Sequence, residues 1–150
     1  MITATQIDLI QTSFQQVLPI ADTAGMLLYE RIFTLAPETR SLFDDDIRPQ
    51  AKRLMAAVKV VVDGLGDLEA VAPMLVRLGA RHTRYGVRPE HFEVGCTALM
   101  WTLEQGLGES FTPPVRDAWA AAWNVIAVAM TSGMHQAELE DISATTLASF

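Results

Sequence analysis

The stretch Leu78-Gly79-Ala80-Arg81-His82-Thr83-Arg84-Tyr85-Gly86-Val87 decides how this chain is read. It closes an amphipathic helical segment and sets one histidine at its end. Imidazole is a good metal ligand when its ring is neutral and its other nitrogen is held by a hydrogen bond. On a helix the backbone carbonyl one turn earlier can accept that bond, and for His82 this is Leu78. The alternative is a partly exposed helix-end histidine beside Arg81 and Arg84. Taken alone, His82 leaves both readings open.

Outward from this stretch the apolar spacing is helical throughout. Ile7, Ile10, Phe14, Val17 and Leu18 mark a helix over 3–18, with Thr3 and Gln6 as a capping box and Pro19 as its close. Asp22 or Thr23 is expected to cap a second helix carrying Leu27, Leu28, Ile32, Phe33 and Leu35, ended before Pro37. After a connection containing Leu42-Phe43 and Asp44-Asp45-Asp46, Pro49 suits the first turn of a third helix. Leu54, Val58, Val61, Val62 and Leu65 form its apolar stripe, weakened at the end by Gly64 and Gly66. A shorter helix is expected from about Leu68 to His82, its start limited by Pro73. A long one follows from about Pro89 to Leu107, with Val94, Ala98, Trp101 and Leu103 inward. Another, opened by Pro113-Pro114, carries Val115, Ala118, Trp119, Ala122, Trp123, Ile126, Ala129 and Met130. Residues 135–150 read as a polar extension, a short appended helix or a frayed end.

Composition bounds the function. At 150 residues, half of them apolar, the chain is one domain with room for a sizeable core, so a single domain over 1–150 is expected. A net charge of −7 argues against nucleic acid or an anionic membrane as partner. The single cysteine, Cys96, permits no intrachain disulfide and fits a reducing, cytoplasmic setting. The N-terminus has no basic segment followed by a long apolar run, so no signal peptide is expected, and no stretch is long enough to span a bilayer. Asp44-Asp45-Asp46 lacks the spacing of a calcium loop and reads as solvated, with Asp46 able to cap the third helix. Cys96 reads as a buried packing thiol. No Ser-His-Asp set, glycine-rich phosphate loop or cysteine-rich metal spacing supports unrelated enzyme chemistry.

Four segments, in this order and spacing, resemble the globin family: Leu28-Tyr29-Glu30-Arg31-Ile32-Phe33, Leu42-Phe43, Gln50-Ala51-Lys52-Arg53-Leu54, and Leu78 through Val87. The nearest likeness is to bacterial single-domain globins and the haem domain of flavohaemoglobins, over about residues 3–134. The resemblance implies an all-α globin fold, six to eight helices around one haem b (iron protoporphyrin IX), with His82 as the proximal iron ligand. It implies that Phe43 packs on the porphyrin, where a flat aromatic ring suits a flat apolar macrocycle. Tyr29 matches the distal tyrosine and Gln50 the distal polar position, both able to donate to a diatomic ligand that gathers negative charge. Leu54, one turn after Gln50, would wall the distal pocket, with Ala57, Val58 and Val61 continuing that wall or serving as core. Arg53 and Arg81 either pair with haem propionates or are solvated. Leu78, Val87, Phe92, Trp119, Trp123 and Ile126 would line the proximal side and floor, although core packing alone would also explain the aromatic ones.

Departures from the family narrow the expectation. A flavohaemoglobin would carry a tyrosine where this chain has Phe92, and a glutamate where it has Met134 beside Gly133. The polar network that turns the proximal histidine toward oxygen activation is therefore not expected. With the chain ending at Phe150, flavin and nicotinamide reductase domains are not expected either, so nitric oxide dioxygenation would need a separate reductase. The histidines are His82, His91 and His135, none on the Gln50 helix, which excludes bis-histidine coordination through that helix. Reversible binding of oxygen and other diatomic ligands (NO, CO) is expected first. Nitric oxide or nitrite chemistry comes second, and a globin-fold sensor module third.

Overall fold

Thr3 opens the first helix with a reciprocal cap. Its hydroxyl accepts from the Gln6 amide at 3.1 Å, and its own amide donates to Gln6 Oε1 at 3.0 Å. Two orphan donors at the helix start are thereby satisfied, and helix α1 runs Ala4–Val17. The computed structural model describes residues 2–84 and 86–148, without the side chains of Arg84 and of 141–148. Tyr85, in the stretch quoted first, and the terminal Phe150 lie outside the described residues.

Helix α2 spans Ala21–Leu35, α3 Arg48–Asp63, α4 Leu68–Arg84, α5 His91–Leu107 and α6 Pro113–Ala148. Among the described residues there is no strand. Short 3-10 turns lie at Leu18–Ile20, Pro37–Leu42 and Gly108–Ser110. The architecture is all-α, with α4 packed on α6, α2 on α5 and α3, and α1 on α6. Ile10, Phe14, Val61, Leu75, Leu103, Ala118, Trp119 and Met130 are among the residues of one core. No helix of the described residues is long and apolar enough to cross a membrane.

Several local expectations are corrected. Helix α2 starts at Ala21 without a side-chain cap, because the preceding 3-10 turn leads directly into it. Asp22 instead lies in the first turn, where its charge suits the positive end of the helix. Helix α4 begins at Leu68 as expected, but Pro73 does not limit that start and lies inside the helix. Asp67 opens the helix by accepting from the Ala70 amide at 3.3 Å, and burial of Val71 and Leu75 on either side of Pro73 offsets the lost backbone bond. Trp101 is half-buried with the Arg31 guanidinium 4.9 Å over its ring, while Ala98, Met100, Leu103 and Leu107 face the core. Cys96 is half-buried. Residues beyond 134 continue α6 without a break to Ala148, with Ala137 buried.

Two crossings position everything that follows. A β-carbon on Gly79 of α4 would overlap the Met130 carbonyl of α6, and one on Gly133 of α6 would overlap the Val76 carbonyl of α4. The two backbones are thus in direct contact one turn before His82. At the second crossing, a β-carbon on Gly25 would lie 3.0 Å from the Ala51 carbonyl. That approach of α2 to α3 brings Tyr29, one turn after Gly25, level with Gln50.

Candidate functional site: a helix-end histidine and a tyrosine–glutamine–arginine chain

His82 sits half-buried in the last turn of α4. Its Nδ1 is 2.7 Å from the Leu78 carbonyl oxygen. A carbonyl can only accept, so Nδ1 carries the proton and the ring lone pair is on Nε2. Burial pushes the imidazole below its ordinary pKa, the bond to Leu78 works the other way, and the Arg81 charge adds to the depression. The neutral form therefore prevails, which is the form a metal binds. The Val87 amide donates to the His82 carbonyl at 3.1 Å, holding the chain that leaves the helix.

A second group of candidates comes from α2, the corner after it and α3. Tyr29 is buried, its ring meeting Phe43 edge-on at 5.2 Å and Phe33 at 6.0 Å, and Phe33 lies 5.6 Å from Phe43. Arg40 clasps the corner. Its guanidinium lies 5.1 Å over Phe33 and donates to the carbonyls of Phe43, Asp44 and Asp45 at 3.4, 2.9 and 2.8 Å. Asp46 accepts from the Arg48 amide at 3.1 Å and pairs with its side chain. The acidic run is therefore held by arginines, and among the described residues no group of three His, Cys, Asp or Glu is set to hold a metal ion.

Tyr29, Gln50 and Arg53 form a chain of hydrogen bonds. Arg53 donates to Gln50 Oε1 from Nε at 3.2 Å and from Nη2 at 2.8 Å, and Gln50 Nε2 donates to the Tyr29 hydroxyl at 3.3 Å. Burial raises the Tyr29 pKa above its ordinary value of 10.0, outweighing the Gln50 bond and the Arg53 charge, so the phenol stays protonated. Gln50, matched to the distal polar position, turns one N–H of its amide to Tyr29. Arg53 was expected against propionates or in solvent, and here it is exposed but spent on Gln50. Arg81 is exposed. Leu54 and Val58 are half-buried on the next turns of α3, and Val61 is buried.

The remaining candidates divide. Phe92 and Trp123 meet edge-on at 6.5 Å, and Phe92, Leu78 and Ile126 are half-buried against the core. Trp119 belongs elsewhere. Its indole N–H donates to Ser13 Oγ at 2.9 Å and its ring lies 6.2 Å from Phe14, so it packs on α1 as core. Met134, at the position expected to hold a glutamate, is 2% exposed. Gly86 lies against Leu42, 3.1 Å from where a β-carbon would be, which brings the His82 turn to the corner that carries Phe43. Open clefts of about 320 Å³ beside Ile2, Leu65 and Leu68, and about 220 Å³ at Leu18–Thr23, contain none of the candidates.

Sequence reasoning missed Phe33, the Arg40 clasp and the Arg53–Gln50 bond. The last had a signal, since residues three apart on a helix are neighbours. Among the described residues three buried side-chain atoms have no hydrogen-bond partner, Arg31 Nε on α2, Thr83 Oγ1 beside His82 in sequence and His91 Nε2 at the start of α5, and sequence reasoning singled out none of them.

Comparison with known proteins decides the family. The model of the family described as Globin matches residues 27–130, more than half of the chain. The chain belongs to the globin family. This globin is 29% identical over 139 residues to an anaerobic nitrite reductase of Oryza sativa subsp. indica, covering 89% of this chain and 96% of that one. It is 27% identical over 123 residues to neuroglobin of Tetraodon nigroviridis, covering 73% of this chain and 77% of the relative. It is 28% identical to the flavohemoprotein of Vibrio cholerae, over 85% of this chain but only 33% of that longer protein. In fold the globin superposes with a TM-score of 0.83, at 21% identity, on an engineered carbene transferase from Rhodothermus marinus whose parent is named as a nitric oxide dioxygenase. That match covers 96% of this chain and 99% of the other.

Proposed function

We propose that this globin holds one haem through His82 and reversibly binds a diatomic ligand, oxygen first, beneath Tyr29. The observation that carries the reading is a neutral His82 whose Nδ1 donates to Leu78, on a turn that Gly86 seats against Leu42 in the corner beside Phe43, whose ring meets the buried, protonated Tyr29. The donor set fits the group. One imidazole has its lone pair on Nε2, Phe43, Phe92 and Trp123 offer flat apolar rings, and the Leu42 corner meets the His82 turn. Haem, when bound, supplies the iron on which oxygen, nitric oxide or carbon monoxide is taken up.

The residues then divide the work. His82 holds the iron, and Leu78 fixes the tautomer and the ring plane. Leu78, Val87, Phe92, Trp123 and Ile126 exclude water on that side, and Phe43, Leu54 and Val58 do so on the other. Tyr29 would donate a hydrogen bond from its hydroxyl to the ligand. A hydrogen bond to a charged acceptor contributes about 1.5–3 kcal/mol, which slows ligand loss by about ten- to a hundredfold. High oxygen affinity follows from that bond. The Nδ1 acceptor is a neutral carbonyl, with buried Met134 and Phe92 where a polar proximal network would stand, and this favours reversible binding over oxygen activation.

A second reading, nitric oxide or nitrite chemistry with electrons from a separate reductase, draws support from the rice relative's name, an anaerobic nitrite reductase. The experiment that tests the first reading is an absorption spectrum of the purified protein and of His82→Ala. A strong Soret band that is lost in the variant and returns with added imidazole supports it. Absence of haem uptake by the wild-type chain overturns it.

A further inference from the structure

Gln50 can be placed in two ways that look alike in shape and differ in chemistry. A glutamine side chain has an oxygen that only accepts and an NH2 that only donates. With NH2 toward Tyr29, the phenol oxygen accepts and its proton is left for a ligand. With the oxygen toward Tyr29, the phenol proton is drawn to Gln50 and lost to the ligand. Arg53 selects between these states. Its guanidinium has no acceptor, and it approaches Gln50 with two N–H groups at 3.2 and 2.8 Å, so only the carbonyl end of the amide can face it. The NH2 is then turned to Tyr29, 3.3 Å away.

We infer that Arg53, an exposed residue off the pocket wall, is a positioning residue that sets the orientation of the Gln50 amide and so keeps the Tyr29 proton available to the ligand. This rests on the reading of Tyr29 as the distal donor. The geometry supports it independently of any haem contact: the two N–H groups converge on one oxygen, and Arg53, three residues after Gln50, sits on the same helix face. In this arrangement Gln50 contributes by holding Tyr29, and its effect on ligand retention depends on a charge at the surface.

The test uses the haem-loaded, reduced protein with carbon monoxide as probe, since the C–O stretching band reports the hydrogen bond at the ligand, alongside the oxygen dissociation rate. Wild type, Tyr29→Phe, Gln50→Leu, Arg53→Leu, Arg53→Lys and the Gln50→Leu/Arg53→Leu double variant are compared. Arg53→Leu is expected to split the single wild-type band, adding a component at the Tyr29→Phe frequency, and to speed oxygen loss by about two- to tenfold. Arg53→Lys, which still only donates, is expected to restore most of the wild-type band. In the Gln50→Leu background, Arg53→Leu is expected to change nothing further. An Arg53→Leu spectrum and rate equal to wild type overturns the inference. So does an Arg53→Leu effect that persists undiminished without Gln50, because the charge would then act directly on the haem or ligand. If Tyr29→Phe also leaves band and rate unchanged, the reading of Tyr29 as donor falls, and this inference with it.

Discussion

Gly133 of α6 seats on the Val76 carbonyl of α4 so closely that no β-carbon fits between them, and Gly79 makes the reciprocal contact with Met130. A mid-helix glycine ordinarily costs stability, so replacing one with alanine usually helps by about 1 kcal/mol. Here the sign reverses. Gly133→Ala and Gly79→Ala are each expected to force the helices apart and to destabilise the fold by about 1–3 kcal/mol, read from chemical denaturation. Gly66→Ala, with nothing within 4 Å of the added carbon, is the control and is expected to be neutral or mildly stabilising. Equal effects at all three positions would contradict the tight crossing.

The distal hydrogen bond sets a rate. Tyr29→Phe keeps the ring and its contacts with Phe33 and Phe43 but removes the proton. Oxygen dissociation measured by stopped flow is expected to quicken by about ten- to a hundredfold. A variant that releases oxygen as slowly as wild type would show that the phenol does not reach the ligand.

The same proton has a pH signature. Because burial raises the Tyr29 pKa above its ordinary value, the folded protein keeps the phenol protonated where a free tyrosine would begin to ionise. The oxygen dissociation rate should therefore be flat from about pH 6 to about pH 9. For stability, the unfolded chain releases this proton first as pH rises through the ordinary value. The Tyr29 contribution is thus intact below that value and declines between it and the raised one. An alkaline acceleration of oxygen loss beginning well below pH 9 would show that the phenol ionises early.

The bond from Trp119 to Ser13 ties α6 to α1 inside the core, 106 residues apart in sequence. Ser13→Ala leaves a buried indole N–H without a partner and is expected to cost about 1–3 kcal/mol. The Ser13→Ala/Trp119→Phe double variant should lose less than the two single changes summed, since it removes the stranded donor along with the ring edge. Additive losses in thermal or chemical unfolding would mean that the bond carries no coupling.

Much of this globin was legible from residue spacing. The 3.6-residue period placed the helices because each must turn one apolar stripe inward, and the Thr3–Gln6 box marked the start of α1 from local chemistry alone. Leu78 could be named as the acceptor for His82 because a backbone carbonyl one turn back is always within reach on a helix. Local rules failed where packing outweighed propensity. Pro73 sits inside α4 because Val71 and Leu75 are buried on both sides of it, and α6 runs on through residues 135–148 as one helix.

The order and spacing of four segments, through their resemblance to globins, named His82, Tyr29, Phe43 and Gln50 as candidates, whereas residue type and helical register alone left each of them open. Only the tertiary structure decided how they act on one another. It gave Trp119 to Ser13, laid Gly79 and Gly133 against the facing backbone, and turned the Gln50 amide by a bond from Arg53. Each of these depends on two segments meeting or on one rotamer being chosen among several. Those choices are made by steric fit and by the demand that every buried donor find an acceptor.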